Sequence, residues 1–427
     1  MTLPQTFASL SIPNYRRYFL GALSGNTGQW MSMTAKSWLV LVELTDSNAT
    51  VLGWLTAVMF MPNLFITPIG GLLADRLPKR NIAIVTQSAM CLSAVTLSVL
   101  VISGQIRLWH VFALALFDGA VGCFDNPARQ AFVSELVGHD RLSNAIGLNS
   151  ASFNAARLIG PGVAGFVIAA VGTGYAFAVN ALGFLVLIFM LTRMRSADFF
   201  ILPPRDANRG RGISEGFRYV IRRPDLTLLF IIGLMMGTFA FNYGITNTLM
   251  ATAVFGRGPG QYGMLGSIMG VGSLTGALLI ARRARPRIRH IFVYLIVFCL
   301  SASASALAPN FEIFCALMVP IGFSAVSIMV TANSMVQISI APEVRGRVMA
   351  LWGLVIIGLT PAASPLLGRV GDLWGARVAI WCSTVPIVLT VLGVSWYLFI
   401  NQGLRLYWSR DHHIGVRYRV TEDVQHR

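Results

Sequence analysis

Apolar runs of about twenty residues recur along this chain, separated mostly by short polar turns. A helix rises 1.5 Å per residue, so about 20 apolar residues cross the hydrocarbon core of a bilayer. Lipid offers no hydrogen bonds, so continuous apolar runs of this length predict helices that satisfy their own backbone. The pattern places spans at 17–43, 50–74, 81–103, 108–130, 144–170, 174–194, 226–250, 260–281, 290–308, 311–335, 347–368 and 377–400. The predicted fold is therefore an all-α polytopic membrane protein with twelve transmembrane helices. Residues 1–194 form a first six-helix bundle and 226–402 a second. Between them, 195–225 is a polar linker rich in arginine, with a surface helix expected at Ile213–Ile221; 403–427 form a tail.

Composition supports a lipid environment. Of 427 residues, 55% are apolar and 12% charged, about half the charge of a soluble domain. The N-terminal segment Met1 to Pro13 is short and polar, and the first apolar run is long enough to remain in the membrane, so no cleaved leader is expected. A net charge of +16 raises the question of nucleic acid, but its distribution is a topology signal. With the N-terminus placed in the cytoplasm, 27 of the 33 basic residues fall on the cytoplasmic side and four outside, while Lys36 and Arg157 lie within spans. That asymmetry predicts cytoplasmic termini at both ends, a lipid-bilayer partner and no nucleic-acid partner. Cys91, Cys123, Cys299, Cys315 and Cys382 fall in apolar runs without ligand spacing and read as core residues. Glycine-rich runs such as Gly256-Arg-Gly-Pro-Gly260 lack the strand-then-helix setting of a nucleotide site. No enzyme, cofactor or metal is expected.

An internal repeat supports two halves. Arg141 and Pro161 reappear as Arg345 and Pro365, each pair marking a basic turn followed by a helix with a proline in its outer half. Pro13-Asn14 before the first span parallels Pro224-Asp225 before the seventh.

The turn between spans 2 and 3 reads Gly71-Leu-Leu-Ala-Asp75-Arg76-Leu-Pro-Lys79-Arg80. It resembles the corresponding loop of the major facilitator superfamily, G-x-x-x-D-R-x-G-R-R/K, with Pro78 where that family usually has glycine. Gly71 is expected to let a helix end pack closely. The resemblance implies that Asp75 caps the start of span 11 and that Lys79 pairs with Asp125 at the inner end of span 4, latching the inner face. The plain alternative is a set of loop charges that only fixes topology.

Asp118, Arg157 and Lys36 fall deep inside spans. Asp118 and Arg157 both lie near mid-membrane, where a charge is costly unless paired or hydrated and is therefore a functional candidate. Asp118, Gly122 and Asp125 share one helix face; Ser150, Asn154, Arg157 and Pro161 share another. Asp118 and Arg157 are expected to face the central cavity or each other, with Asp118 carrying a proton and Arg157 sensing its charge, against the alternative of a static pair. Lys36 shares a stripe with Asn26, Gln29 and Met33 and is open to two readings: a cation in the cavity, or an amine that snorkels outward past Glu43. The superfamily's basic motif on span 4, R-x-x-Q-G, is not matched, since Ala115 and Asp118 stand at its first two positions. Asn242 and Thr246 on span 7, and Ser334 and Gln337 on span 10, are further candidates for a substrate cavity.

Arg157-Leu-Ile-Gly160-Pro161-Gly162-Val-Ala-Gly165 combines small residues with a proline and predicts a close-packed, bent helix. It resembles the span-5 motif of proton-driven exporters in the same superfamily. Two longer stretches, Asn14-Tyr-Arg-Arg-Tyr-Phe-Leu-Gly and Asp125-Asn-Pro-Ala-Arg-Gln-Ala-Phe-Val-Ser-Glu-Leu-Val137, resemble the enterobactin-exporter-like branch, which includes siderophore and multidrug exporters. The tail from His412 to Val420 hints at an added strand found in some members. The resemblance implies a monomeric transporter of a bacterial inner membrane that exports a small amphipathic molecule, siderophore or drug, in exchange for protons by alternating access. A proton-coupled importer and a non-transporting membrane scaffold or receptor are the alternatives.

Overall fold

The computed structural model describes residues 5–138, 140–200, 213–240, 242–281, 287–341, 344–401, 405–408 and 414–417. Twelve helical rods run back and forth, and most are unbroken: α4 (Lys79–Ile102), α5 (Leu108–Val137), α6 (Leu142–Val171), α7 (Thr173–Thr192), α11 (Pro259–Ala281), α12 (Ile288–Ala306), α13 (Phe311–Ser339) and α16 (Ala376–Asn401). The first rod is α1 (Pro13–Trp38), continued by a wider π-turn over Leu39–Leu44. Ten helical segments among the described residues are long and apolar enough to cross a membrane; α1 and the second rod complete the set.

Three rods are broken where the apolar pattern predicts continuity. The second is α2 (Ala49–Phe65) followed by α3 (Thr67–Arg76), the eleventh α14 (Arg345–Gly358) followed by α15 (Thr360–Trp374). In each case a proline, Pro68 or Pro361, opens the new helix, because it lacks the N–H needed to continue the old one. The seventh rod runs α9 (Pro224–Met235), a π-turn, α10 (Tyr243–Leu249) and a second π-turn to Val254, with Asn242 at the break. A surface helix, α8, lies at Ile213–Ile221 as expected. The Arg347 side chain, at the start of α14, donates to Glu215 of α8 at 2.6 Å. Beyond α16 the strands β1 (Arg405–Trp408) and β2 (Ile414–Arg417) pair antiparallel, giving the tail the strand it hinted at and its partner.

Alternation of the rods defines two faces. The basic face carries the start of α1, the α3–α4 turn, the α5–α6 turn and the start of α14. The far face carries the α1–α2, α4–α5, α12–α13 and α15–α16 turns. Among rods of the first half, α1 packs on α6 and α7, and α4 and α5 on each other; in the second, α13 packs on α11 and α12. The most extensive packing between halves is of α2 with α15 and of α6 with α11. Both approach to backbone distance through glycine. A Cβ on Gly53 would fall 2.3 Å from the Ser364 carbonyl oxygen, and one on Gly165 would fall 2.9 Å from the Gly263 Cα. Small residues do the work here because lipid provides no hydrophobic drive between helices and close van der Waals contact must replace it.

The expected close approach at Gly71 is displaced by one residue. A Cβ at Gly71 meets nothing within 4 Å, whereas one at Gly70 would lie 2.0 Å from the Cys123 carbonyl oxygen on α5. Gly70→Leu is therefore expected to lower stability by about 1–3 kcal/mol through overpacking, while Gly71→Ala leaves it unchanged. Thermal unfolding in detergent reads both.

Candidate functional site

Helices α1 and α5 bring the two central charges together. Lys36 Nζ lies 2.5 Å from Asp118 Oδ2, with the lysine side chain 4% and the aspartate 23% exposed. Asp118 is ten residues into α5, about 15 Å from its far-face end. Of the two arrangements open to Asp118 and Arg157, facing the cavity or each other, the direct pair is not formed, and of the two open to Lys36 the outward snorkel is not adopted. Glu43 accepts a hydrogen bond from the Thr173 hydroxyl. The second oxygen of Asp118 is buried without a hydrogen-bond partner. The pair therefore neutralises the lysine but leaves the carboxylate with one open acceptor position.

Arg157 on α6 stands apart. Its Nε is buried with no partner, and no carboxylate among the described residues pairs with it. The guanidinium lies over the Trp30 ring of α1, 5.5 Å from the centroid, a cation–π contact that offsets part of the cost of a charge in low dielectric. Trp30 in turn packs edge-on against Phe153. Tyr243, at the start of α10, likewise has a buried hydroxyl without a partner.

Tyr243 borders a small cavity of about 20 Å³, room for a single water. Asn242, Thr246, Phe298 and Thr384 share its lining. Asn242 is fully engaged: it donates to the Thr238 carbonyl at 2.6 Å and accepts from the Ser364 hydroxyl of α15 at 2.6 Å. It ties the seventh rod to the eleventh. The other polar candidates scatter. Ser334 and Asn154 donate to carbonyls of their own helices, and Gln29 and Gln337 are exposed.

Near the basic face, Asp125 on α5 is 3% exposed. It accepts from the Thr86 hydroxyl at 2.7 Å and from Gln87 Nε2 at 2.9 Å, both on α4, and pairs with Arg129 one turn on at 3.4 Å. Arg129 then donates to Asn26 of α1 at 3.0 Å and to the Tyr18 hydroxyl at 3.5 Å. The implied Lys79–Asp125 contact is replaced: Lys79 pairs with Glu135 at 2.9 Å, nearly three turns further along α5 and closer to the surface. Asp125 lies too deep for a lysine at the start of α4. Arg80 closes the end of α7, donating to the Leu191 and Thr192 carbonyls, both at 2.9 Å, and to the Ser196 hydroxyl at 2.8 Å. Arg76 is exposed, and the Asp75 side chain lies outside the described residues. Sequence reasoning overlooked Arg129, Glu135, Thr86 and Gln87. The available signal was the four-residue spacing of Asp125 and Arg129, which puts both on one helix face.

The small residues of α6 serve two partners. A Cβ on Gly160 would lie 2.6 Å from Trp30 Cβ, while Gly162 and Gly165 face Ser267 and Gly263 of α11. Pro161 sits inside an α6 that remains helical throughout.

Three comparisons bear on these geometries. A family model described as transmembrane secretion effector matches residues 4–405. The multidrug efflux pump Tap of Mycolicibacterium fortuitum is 26% identical over 387 residues, 87% of this chain and 92% of the pump. The staphyloferrin A transporter of Staphylococcus aureus is 23% identical over 394 residues, covering 90% and 96% of the two chains. Among solved structures, the nucleoside transporter NupG superposes with a TM-score of 0.67 at 10% identity, covering 90% of this chain and 98% of that one, a likeness of fold.

If the Lys36–Asp118 pair is the main electrostatic tie between α1 and α5, removing one partner strands the other. Lys36→Met is expected to cost about 3 kcal/mol, and Lys36→Met with Asp118→Leu to recover most of it. Thermal unfolding of the single and double variants measures the coupling.

Proposed function

The chain belongs to the transmembrane secretion effector family of the major facilitator superfamily, and on that premise we propose that it exports a small amphipathic molecule in exchange for protons. The observation that carries this reading is the buried Lys36–Asp118 pair, with Arg157 left unpaired on α6. Asp118 has an open acceptor atom, so a proton can join it without first breaking the contact with Lys36. Once neutral, the aspartic acid no longer compensates the lysine, whose burial then carries an unopposed charge. The protein relieves that cost by changing conformation or by admitting solvent. Proton binding and helix movement are coupled in this way.

Arg157 supplies the substrate side. A guanidinium stacked on Trp30 but offering unused donors attracts a carboxylate, catecholate or other electron-rich group. Efflux of drugs and transport of staphyloferrin A, the activities in the names of the two relatives, both suit a site of one cation with aromatic walls.

Two six-helix halves, 1–194 and 226–402, joined by the linker 195–225, rock about this site. The basic face is assigned to the cytoplasm on the positive-inside asymmetry, with both termini there and the bilayer a bacterial inner membrane. The turn carrying Asp75, Arg76, Lys79 and Arg80, with Asp125 behind it, gates that face. The working unit is a monomer.

Inside-out vesicles with an imposed proton gradient and a pH-sensitive dye test the proposal. Addition of a catechol or carboxylate siderophore, a macrolide or a lipophilic cation should release protons for at least one compound. Asp118→Asn should abolish that release, by at least about 100-fold, the scale of losing a positioned proton-transfer group, with membrane insertion intact. Normal proton release by Asp118→Asn contradicts the assignment; substrate uptake in intact cells would reverse the direction, and binding without flux would favour a receptor.

A further inference from the structure

The turn on the basic face has an inverted counterpart on the far face. Pro68, Gly71, Asp75 and Arg80 recur at a constant offset of 297 as Pro365, Gly368, Asp372 and Arg377. The first set surrounds the α3–α4 turn, the second the α15–α16 turn, at opposite ends of the rods. The two arginines do the same local work. Arg80 closes the carbonyl end of α7, and Arg377 donates to the Ala306 and Ala308 carbonyls at the end of α12, at 3.0 and 2.8 Å.

Asp372 does something that crosses the molecule. Its two carboxylate oxygens accept from the backbone N–H groups of Ala49 and Thr50, at 2.7 and 2.8 Å, and from the Thr50 hydroxyl at 2.5 Å. Those groups open α2, whose first-turn N–H groups have no partner within the helix. Asn48 already takes the Val51 N–H. An acid from the eleventh rod therefore completes the cap of the second rod, with charge and helix dipole aligned favourably. The contact needs the two backbones close. A Cβ on Gly368 would fall 2.2 Å from the Ala49 carbonyl oxygen, and Gly53 meets Ser364 and Pro365 one turn deeper.

We propose that Asp372 is the latch of the far face, a positioning residue that holds this face shut and lets go when it opens. The bonds exist only while α2 and α15 touch, so they stabilise the closed population and no other. The carboxylate is exposed, so water takes over its bonds on release and opening stays reversible. The proposal rests on the alternating-access reading above for its role in the cycle, but its geometry does not depend on substrate or coupling ion.

The test is the distance between spin labels at Gln105→Cys and Leu307→Cys, two exposed far-face positions on opposite halves, in the full chain with its five cysteines replaced and reconstituted in nanodiscs. The parent should show mainly the short separation. Asp372→Ala should raise the ratio of long to short separations by about tenfold, the scale of losing one capped, charge-assisted contact. Thr50→Val, which removes one of the three bonds and keeps the fold if Asp372→Ala does not assemble, should raise it by a smaller factor. Glu312→Ala, which removes an exposed far-face acid elsewhere, should leave it unchanged. An unchanged distribution in Asp372→Ala, or in Thr50→Val where that variant alone assembles, overturns the latch. A shifted distribution in a protein that releases no protons with any compound keeps the latch and rejects the export proposal alone.

Discussion

A charge inside a bilayer has to be paired, stacked or hydrated, and each intramembrane charge of this chain answers that demand differently. Lys36 is paired, Arg157 is stacked on an indole, and Asp125 is enclosed by a hydroxyl, an amide and a guanidinium. The cost avoided is on the order of 2.5–3.5 kcal/mol for a charge at the centre of a spanning helix. The partners come from different helices, so these bonds also decide which rods stand together: α1 with α5, α1 with α6, and α4 with α5. Electrostatic compensation and helix arrangement are one constraint in this molecule.

The contact between halves is of another kind. At the far face, α2 meets α15 and α6 meets α11 through glycines at backbone distance, and Asp372 adds hydrogen bonds to one of these seams. Such seams are tight but chemically undemanding. They lose van der Waals contact on opening and strand no buried charge, so two arrangements can differ by little free energy. On the basic face the described ion pairs run within the first half, through Asp125–Arg129 and Lys79–Glu135, or within the second half and its linker, through Arg223–Asp225 and Arg347–Glu215. A protein tied mainly at one end can swing about it, as alternating access requires.

Much of this was legible in the chain. Apolar length marked every rod, and the surface helix at Ile213–Ile221 agrees to the residue. The breaks at Pro68 and Pro361 were hidden because hydropathy does not register a missing N–H, although the prolines themselves were in view. The sequence left the partner of Asp118 open, and the pairing with Lys36 was not foreseen for a geometric reason. Position along a helix gives depth, whereas the choice of neighbour depends on helix order and rotation. Depth alone would have narrowed the choice. Measured from the far-face helix ends, Lys36 lies about 12 Å deep, Asp118 about 15 Å and Arg157 about 21 Å. The lysine matches the aspartate better than the arginine does. The reassignment of Lys79 has the same origin, since Asp125 is two to three turns deeper along α5 than Glu135.

In the proposed cycle Asp118 trades a proton against its hold on Lys36. Infrared difference spectroscopy on the reconstituted protein, taken between alkaline and acidic buffer, reads that proton directly. A protonated-carboxyl band should appear on acidification and vanish in Asp118→Asn. A spectrum identical in the wild type and Asp118→Asn across the whole range would contradict the claim and leave the pair a static tie between two helices.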